Sequence, residues 1–210
     1  MTVEHLLTMR SGTDCTDPAS WEMLIKSPDW VQFALDLPMV QSPGVQWAYC
    51  TGCSHLLSAI VQKTSGMNTL DFADRYLFKP LGISDFKWTL DPAGTPAGGA
   101  GLHLRPRDMA KLGYLYLRKG QWDGQQIVSS EWVEKATQTH ADLDVNVHFE
   151  YGYHWFTHPA MVGYAALGDL GQIILVIPES DLVIVTTAAT EESIFELIEQ
   201  YILPAVQKAQ

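Results

Sequence analysis

The chain has 210 residues, of which 47% are hydrophobic, and its formal net charge at pH 7 is −11. Length and composition are those of an ordinary single globular domain spanning residues 1–210. The negative charge argues against nucleic acid and anionic membranes as partners, and no apolar run approaches the roughly 18 residues of a membrane span. Three cysteines do not make a disulfide framework, and no signal peptide follows Met1. We therefore expect a cytoplasmic protein.

Residues 1 to about 140 have the pattern of helices joined by loops. Polar caps, prolines at first-turn positions and glycine stops predict helices over 3–9, 18–26, 28–35, 69–78, 107–118 and 130–137. Residues 83–101 are interpreted as loop and turn, and Asp123-Gly124 as a hairpin turn. This part is predicted to be rich in helix and to contain little strand.

From about residue 145 the pattern becomes typical of strands. Turn signals at 168–171 and 178–181 separate the predicted strands 151–156, 161–167, 173–177 and 182–187. An amphipathic helix is predicted over 191–206. A helix-rich first part, an antiparallel sheet and a closing helix together predict an α+β fold.

Residues 43–66 contain the most informative stretch. A Pro-Gly turn and a small polar run precede Leu56, Leu57, Ile60 and Val61, which recur at helical spacing up to Gly66. Tyr49 to Thr51 should then lie on a loop that leads into the N-terminus of a buried helix, where free N–H groups favour a polar site.

Cys50-Thr51-Gly52-Cys53 forms a C-x-x-C at the same helix start. A helix N-terminus lowers the pKa of a thiol, so Cys50 is a candidate thiolate nucleophile or redox group. The plainer interpretation is two small residues, one facing a cleft and one the core. No thioredoxin-like βαβ pattern surrounds the motif.

Four segments, in this order, resemble motifs of the serine β-lactamase, penicillin-binding-protein and esterase superfamily, nearest its class C-like branch. They read VEHLLTMRSG at residues 3–12, PG-x-x-WAYCT followed by LLSAI at 43–60, GAGL…PRDMAK at 99–111, and GDLGQIILVIP at 168–178. The resemblance covers nearly the whole chain. It implies a β-lactamase-like α+β fold and a cofactor-free hydrolase that acts on β-lactams, peptides or esters through an acyl-enzyme.

The resemblance also implies site residues. Tyr49 takes the place of the family's proton-transferring tyrosine, followed by Cys50 as a second catalytic candidate. The substrate-binding candidates are Thr51, Gly168, Asp169 and Gly171. The family has a cation or an imidazole in this last motif, whereas Asp169 would repel a substrate carboxylate. A plain turn aspartate is the alternative interpretation of Asp169.

The family's nucleophile is the serine of a Ser-x-x-Lys motif that precedes the HLLTxxSG turn, and this chain starts at that turn. We therefore expect a shortened domain that lacks the nucleophile. One Ser-x-x-Lys string, Ser84 to Lys87, lies in a loop or strand context in which the two side chains point apart. Whether the chain is an enzyme is left open by its sequence.

Two functional hypotheses follow. The first is a degenerate hydrolase fold, inactive or nearly so, that binds an ester, amide or β-lactam ligand or a partner. The second is an active hydrolase that uses Cys50, or a serine from another polypeptide. Under either hypothesis, the strand at 182–187 would form an open sheet edge. An open edge can pair with a second copy of the chain, so we expect a homo-oligomer.

A metal site is the less favoured interpretation of the histidines. His148, Glu150 and His154 would share one face of a strand, and His158 follows. No helical H-E-x-x-H motif supports them, so we expect surface histidines on a solvated strand and no metal.

Overall fold

The α+β fold predicted from the sequence is confirmed. The computed structural model describes residues 1–15, 18–143, 149–158, 163–190 and 193–207. Helices dominate the first part of the chain, and an antiparallel sheet with closing helices forms the second.

The helices follow the predicted order with small shifts at their ends. They are α1 (Val3–Leu7), α2 (Pro18–Lys26), α3 (Trp30–Leu35), α4 (Thr51–Ser65), α5 (Thr69–Ala73), α6 (Pro106–Leu117), α7 (Ser130–Ala136), α8 (Ile194–Leu197) and α9 (Leu203–Gln207). A π-helical segment, Asp74–Phe78, extends α5, and another, Ile198–Ile202, joins α8 to α9. None of the helices in the described ranges is long and apolar enough to cross a bilayer.

The main sheet has six antiparallel strands in sequential order. These are β5 (Ala141–Asp142), β6 (Glu150–Tyr151), β7 (Phe156–His158), β8 (Gly163–Leu167), β9 (Ile173–Ile177) and β10 (Leu182–Thr186). Two small hairpins lie earlier in the chain, formed by β1 (Phe86–Trp88) with β2 (Leu102–Leu104) and by β3 (Gln121–Trp122) with β4 (Gln125–Gln126). Each strand of the main sheet pairs with its neighbour in the sequence, so the sheet is a meander.

Helices cover both faces of the sheet at β9, which explains why that strand is apolar at every position. Ile173, Leu175 and Ile177 pack under α8 and α9, whereas Ile174 and Val176 face α6. A strand buried on both sides has no reason to alternate polar with apolar residues. Every residue of β9 is accordingly buried.

A glycine lets α6 approach the sheet closely. A Cβ atom on Gly113 would lie 2.6 Å from Cγ1 of Val183 and 2.9 Å from Cγ2 of Ile174. A larger residue here would push the helix away from β9 and β10 and open the core between them.

The structure corrects two predictions. Residues 151–156 were predicted as one strand, but the chain reverses there: the N–H of Gly152 donates to the carbonyl of Trp155 at 2.7 Å, and His154 has a φ of 58°. Residues 83–101 were predicted as loop, yet they include β1, which pairs with β2. Both misses involve strands of two or three residues, too short to show an alternating pattern.

The outer edge of β10 is open in the described part of the chain. β10 pairs only with β9, and Leu182, Val183 and Val185 are half-buried. Nearby, Leu197 and Tyr201 are 50% and 62% exposed. An apolar edge strand beside exposed apolar side chains is a template for pairing with a second chain.

We expect the protein to self-associate through this edge at micromolar concentration. Leu182→Lys should shift the population toward monomer, because an edge lysine opposes strand pairing. Light scattering across a dilution series measures the mass. Leu35→Lys, at a 55% exposed site on α3, is the matched control. A wild-type protein that stays at 23.4 kDa over the whole series would contradict the assembly.

Candidate functional site

A cleft of about 650 Å³ lies between the start of α4 and the end of β8. Tyr49 and Thr51 line one side, and Gly168, Asp169 and Gln172 line another. The rest of the wall consists of Trp88, Ala97, Gly98, Gly99, Ala100, Gly101, Leu102 and Leu167. The structure thus brings together two segments that are more than 100 residues apart in the sequence.

The loop that carries Tyr49 is fixed by the turn after α1. The N–H of Ala48 donates to the carbonyl of Met9 at 2.8 Å, and the N–H of Gly44 donates to the carbonyl of Arg10 at 2.8 Å. The N–H of Cys50 lies 3.4 Å from the Met9 sulfur. Backbone hydrogen bonds at both ends of the loop hold Tyr49 at the cleft rim.

Tyr49 is a hydrogen-bonding group and not a base at neutral pH. Burial raises the pKa of its phenol above the usual value, and the ring lies beside Trp47 with centroids 6.3 Å apart. The residue is nevertheless 46% exposed, on the side that faces the cleft. Its hydroxyl can therefore meet a ligand, but it keeps its proton until something else stabilises a phenolate.

Two glycines form the cleft wall directly against the first turn of α4. A Cβ atom on Gly98 would overlap the carbonyl oxygen of Ser54, and one on Gly99 would lie 2.7 Å from Cγ2 of Thr51. Only a chain without side chains can come this close to a helix. The position of the wall is thus set by α4.

A buried His55–Asp91 pair connects the same wall to the helix. Nε2 of His55 lies 3.1 Å from Oδ2 of Asp91, with both side chains buried. The second oxygen of Asp91 accepts from the N–H groups of Ala93 at 2.9 Å and Thr95 at 2.7 Å. The N–H of Gly98 points to Nδ1 of His55 at 3.5 Å.

The protonation state of His55 follows from this geometry. Burial lowers the pKa of the imidazole, against the opposing pull of the Asp91 carboxylate. A neutral ring with its proton on Nε2 satisfies both contacts, because Nε2 then donates to Asp91 and Nδ1 accepts from Gly98. The pair positions the cleft wall and does not itself line the cleft.

The turn after β8 lies between the cleft and a neighbouring hollow. Gly168 and Asp169 line the cleft with Tyr49 and also border the neighbouring hollow, whereas Gly171 lies in that hollow alone, beside Leu170 and Ile194. Leu170, with a φ of 54°, turns the chain between them. Asp169 is exposed, and it is the one charged side chain among the described residues of the cleft wall.

Cys50 does not have the environment predicted for a nucleophile. Its sulfur is bonded to that of Cys15, and the residue is 2% exposed and absent from the cleft wall. A sulfur in a disulfide is not a thiolate, so the prediction of a free Cys50 nucleophile is wrong for this structure. The sequence analysis expected no disulfide framework, and the described residues contain this one disulfide. Disulfides persist in oxidising compartments, so the cysteines do not support the cytoplasmic location, which stays a prediction.

The third cysteine lies beside this disulfide. Burial raises the pKa of the Cys53 thiol, and hydrogen bonds from Ser11 and Thr13 oppose that rise. Cys53 is thus a protonated thiol at neutral pH, enclosed in the core between α4 and the turn after α1.

The remaining sequence candidates do not join the cleft. Ser84 and Lys87 are exposed outside it, in a loop and in β1, so they do not form a nucleophile–lysine pair. His148 lies outside the described residues. Glu150 accepts a hydrogen bond from Thr139, and no metal-ligating cluster in the described ranges includes it.

His154 is half-buried and His158 is buried, which corrects the expectation of surface histidines on a solvated strand. Burial lowers the pKa of His154 to about 4, and its Nε2 has no hydrogen-bond partner in the described structure. His158 is 6% exposed.

Sequence reasoning missed several cleft residues. Trp88 lies in no quoted motif, and Gln172 lies in the motif at 168–178 but was not among the candidates. The sequence separation of 36 between His55 and Asp91 gives no local signal of their pairing. The glycine run at 98–101 was visible in the sequence, and a close backbone approach is one of the reasons such runs occur.

Helices on both faces of an antiparallel meander, with a tyrosine cleft at the start of a buried helix, define the serine β-lactamase and penicillin-binding-protein type of fold. The Beta-lactamase family model matches residues 1–207, and the chain belongs to that family.

Two curated relatives and one solved structure show how far the likeness extends. An uncharacterised protein of Alkalihalophilus pseudofirmus is 27% identical over 174 residues, which cover 68% of this chain and 52% of that protein. The 6-aminohexanoate-dimer hydrolase of Paenarthrobacter ureafaciens is 26% identical over 150 residues, 67% of this chain and 38% of the relative. The octameric penicillin-binding protein homologue of Pyrococcus abyssi superposes with a TM-score of 0.81 at 22% identity, over 99% of this chain and 56% of that one. The chain thus spans about half or less of the length of the curated relatives it matches.

We expect Asp91→Asn to lower the free energy of unfolding by about 3 kcal/mol, because a single amide oxygen cannot replace the two carboxylate oxygens that accept from Nε2 of His55 and from the N–H groups of Ala93 and Thr95. Urea denaturation monitored by tryptophan fluorescence measures this change. Asp71→Asn, at an exposed position on α5, is the control and should stay within about 0.5 kcal/mol of wild type. Equal losses in the two variants would contradict a structural role for the pair.

Stability should also fall as the pH drops from about 6.5 towards 4. The folded pKa of His154 lies below the unfolded value, so the unfolded chain binds more protons across this window. The lowered pKa of His55 acts in the same direction. His154→Asn should make the free energy of unfolding depend less on pH, and urea titrations at pH 7 and pH 5 measure this. His103→Asn, at an exposed position, should leave the pH dependence as it is in wild type. Parallel pH profiles for wild type and His154→Asn would exclude the effect.

Proposed function

We propose that the cleft between Tyr49 and Asp169 binds a small amide, ester or β-lactam, and that the chain by itself hydrolyses such ligands at close to the background rate. The observation that carries this proposal is the arrangement of the cleft: Tyr49, Thr51 and Asp169 line one cavity of a size suited to a small ligand. The proposal keeps the ligand class of the family but assigns binding, not turnover, to this chain.

The side chains that line the cleft do not favour turnover. Acyl transfer needs a nucleophile activated by a base or by a lowered pKa. The described cleft residues offer the hydroxyls of Tyr49 and Thr51, and no lysine or histidine among them lies beside either one. Without such a nucleophile, positioning of the ligand and polar stabilisation of the transition state give only a residual acceleration of hydrolysis.

The charge of the cleft favours a particular kind of ligand. Asp169 repels a carboxylate and attracts an ammonium group, and no cationic side chain in the described wall offsets it. The 6-aminohexanoate dimer, after which the Paenarthrobacter relative is named, has an ammonium group at one end, an amide in the middle and a carboxylate at the other end, so the charge of Asp169 selects the ammonium end. We therefore propose an amino-amide as the preferred ligand, with its ammonium at Asp169 and its amide near Tyr49 and Thr51.

Calorimetry with the 6-aminohexanoate dimer tests the binding. We expect saturable binding to wild type and at least about tenfold weaker binding to Asp169→Asn, because a charge-assisted hydrogen bond is lost. Glu131→Gln removes a negative charge from exposed α7 outside the cleft and is the matched control. Binding that is equal in Asp169→Asn and in the control would refute the assigned orientation.

The same preparations test turnover with nitrocefin and short p-nitrophenyl esters. We expect rates far below about 1 s⁻¹, the lower end of ordinary enzymes. A faster rate would sink the proposal, and a fluorophosphonate probe mapped by mass spectrometry would then name the nucleophile. A label on a serine of a co-purified polypeptide would instead support a site completed by another chain.

A further inference from the structure

Three sulfur atoms meet in the core immediately behind the cleft. The Sγ atoms of Cys15, Cys50 and Cys53 all lie within 4.8 Å of one another. Cys50 and Cys53 are each 2% exposed, and Cys15 is half-buried. Among the described residues, this is the one group of three potential metal ligands.

We propose that the chain, once its disulfide is reduced, binds one zinc-type thiophilic divalent cation through Cys15, Cys50 and Cys53. This site is independent of the ligand proposed for the cleft.

The spacing fits a zinc site. Zinc–sulfur bonds of about 2.3 Å in tetrahedral geometry place neighbouring sulfurs roughly 3.8 Å apart. Cys53 already lies within 4.8 Å of both partners, and the Cα atoms of Cys15 and Cys50 are 5.2 Å apart. Side-chain rotation after reduction is therefore enough to open a place for the ion. Cys50 and Cys53 also form the C-x-x-C spacing that structural zinc sites use.

The surroundings suit a negatively charged sulfur cluster. Oγ1 of Thr13 lies 3.3 Å from Sγ of Cys15 and 3.9 Å from Sγ of Cys53. Ser11 and Thr13 share a hydrogen bond of 2.7 Å, so both hydroxyls are held next to the sulfurs. Cys50 is the N-cap of the 15-residue helix α4, whose positive end stabilises anions. Hydroxyls that hold the ligands in place are typical of the outer shell of a metal site.

The chemistry balances in two steps. A dithiol reductant transfers two electrons and two protons to the Cys15–Cys50 bond, which breaks into two thiols while the reductant closes its own disulfide. The cation then replaces three thiol protons, which leave to water, forms three metal–sulfur bonds and keeps one water molecule as its fourth ligand. Coordination deprotonates a thiol even when its surroundings are apolar, so the burial of Cys53 does not prevent binding.

The site would take over the role of the disulfide. In the oxidised chain the Cys15–Cys50 bond ties the segment after α1 to the start of α4, and Cys50 stands between the cleft residues Tyr49 and Thr51. In the reduced chain the ion would hold the same two segments together. The cleft would thus be supported in both redox states.

Cadmium titration of the reduced full chain tests this inference, because cadmium–thiolate bonds give an ultraviolet charge-transfer band that histidine and carboxylate ligands do not. We expect one equivalent to saturate reduced wild type and no band in the oxidised chain. Cys53→Ser and Cys15→Ser, each reduced, should bind at least about tenfold more weakly, since a ligand is missing. Ser58→Ala removes another buried side chain of α4 and should bind like wild type.

Zinc should also raise the Tm of the reduced wild type in a concentration-dependent way, and that of Cys53→Ser much less. A band of equal strength in Cys53→Ser would overturn the three-sulfur site. So would the absence of a band in reduced wild type. A thiol count that stays at one under native conditions with excess dithiol would overturn it as well, because the sulfurs would then never be free to bind.

Discussion

The first turn of α4 is the element on which the rest of the site depends. Its backbone is in direct contact with the glycine wall of the cleft, since a Cβ on Gly98 would overlap the carbonyl of Ser54. One turn further along, His55 reaches across to Asp91 and to the N–H of Gly98. The wall is therefore fixed by sterics and by a buried polar pair at once. A buried pair is costly unless all its groups are satisfied, and here each of them has a partner.

The same turn also carries the tyrosine loop and the sulfur cluster. Tyr49 and Thr51 face the cleft, while Cys50 between them points inward to Cys15 and Cys53. This alternation follows from an extended residue directly before a helix: Cys50 has φ −141° and ψ 100°, so its side chain points away from those of its neighbours. Three consecutive residues thus serve two environments, a polar cleft and an apolar core.

The sequence predicted most of the fold because its long elements have clear periodicity and caps. Gly66 ends α4 with a φ of 70°, and Asp123-Gly124 turns the β3–β4 hairpin, both as expected. That Tyr49 and Asp169 line the same cleft could be expected only from the resemblance, because no local pattern indicates proximity between residues 120 positions apart. The disulfide and the His55–Asp91 pair could not be predicted, since each joins residues about 35 positions apart through tertiary packing alone.

Binding and catalysis make separate demands on this cleft. Binding needs a shaped cavity with a few fixed polar groups, and the α4 turn, the glycine wall and the Asp169 turn supply these. Catalysis needs in addition a nucleophile whose proton has somewhere to go. Tyr49 is the residue of the cleft best placed to accept a proton. Burial raises the pKa of its phenol, so Tyr49 holds its own proton more tightly than a free tyrosine does. A cation next to the phenol would reverse that shift, but the charged group in the described wall is Asp169, whose sign works the other way. The electrostatics of the cleft thus agree with the proposal that it binds a cationic ligand without activating a nucleophile.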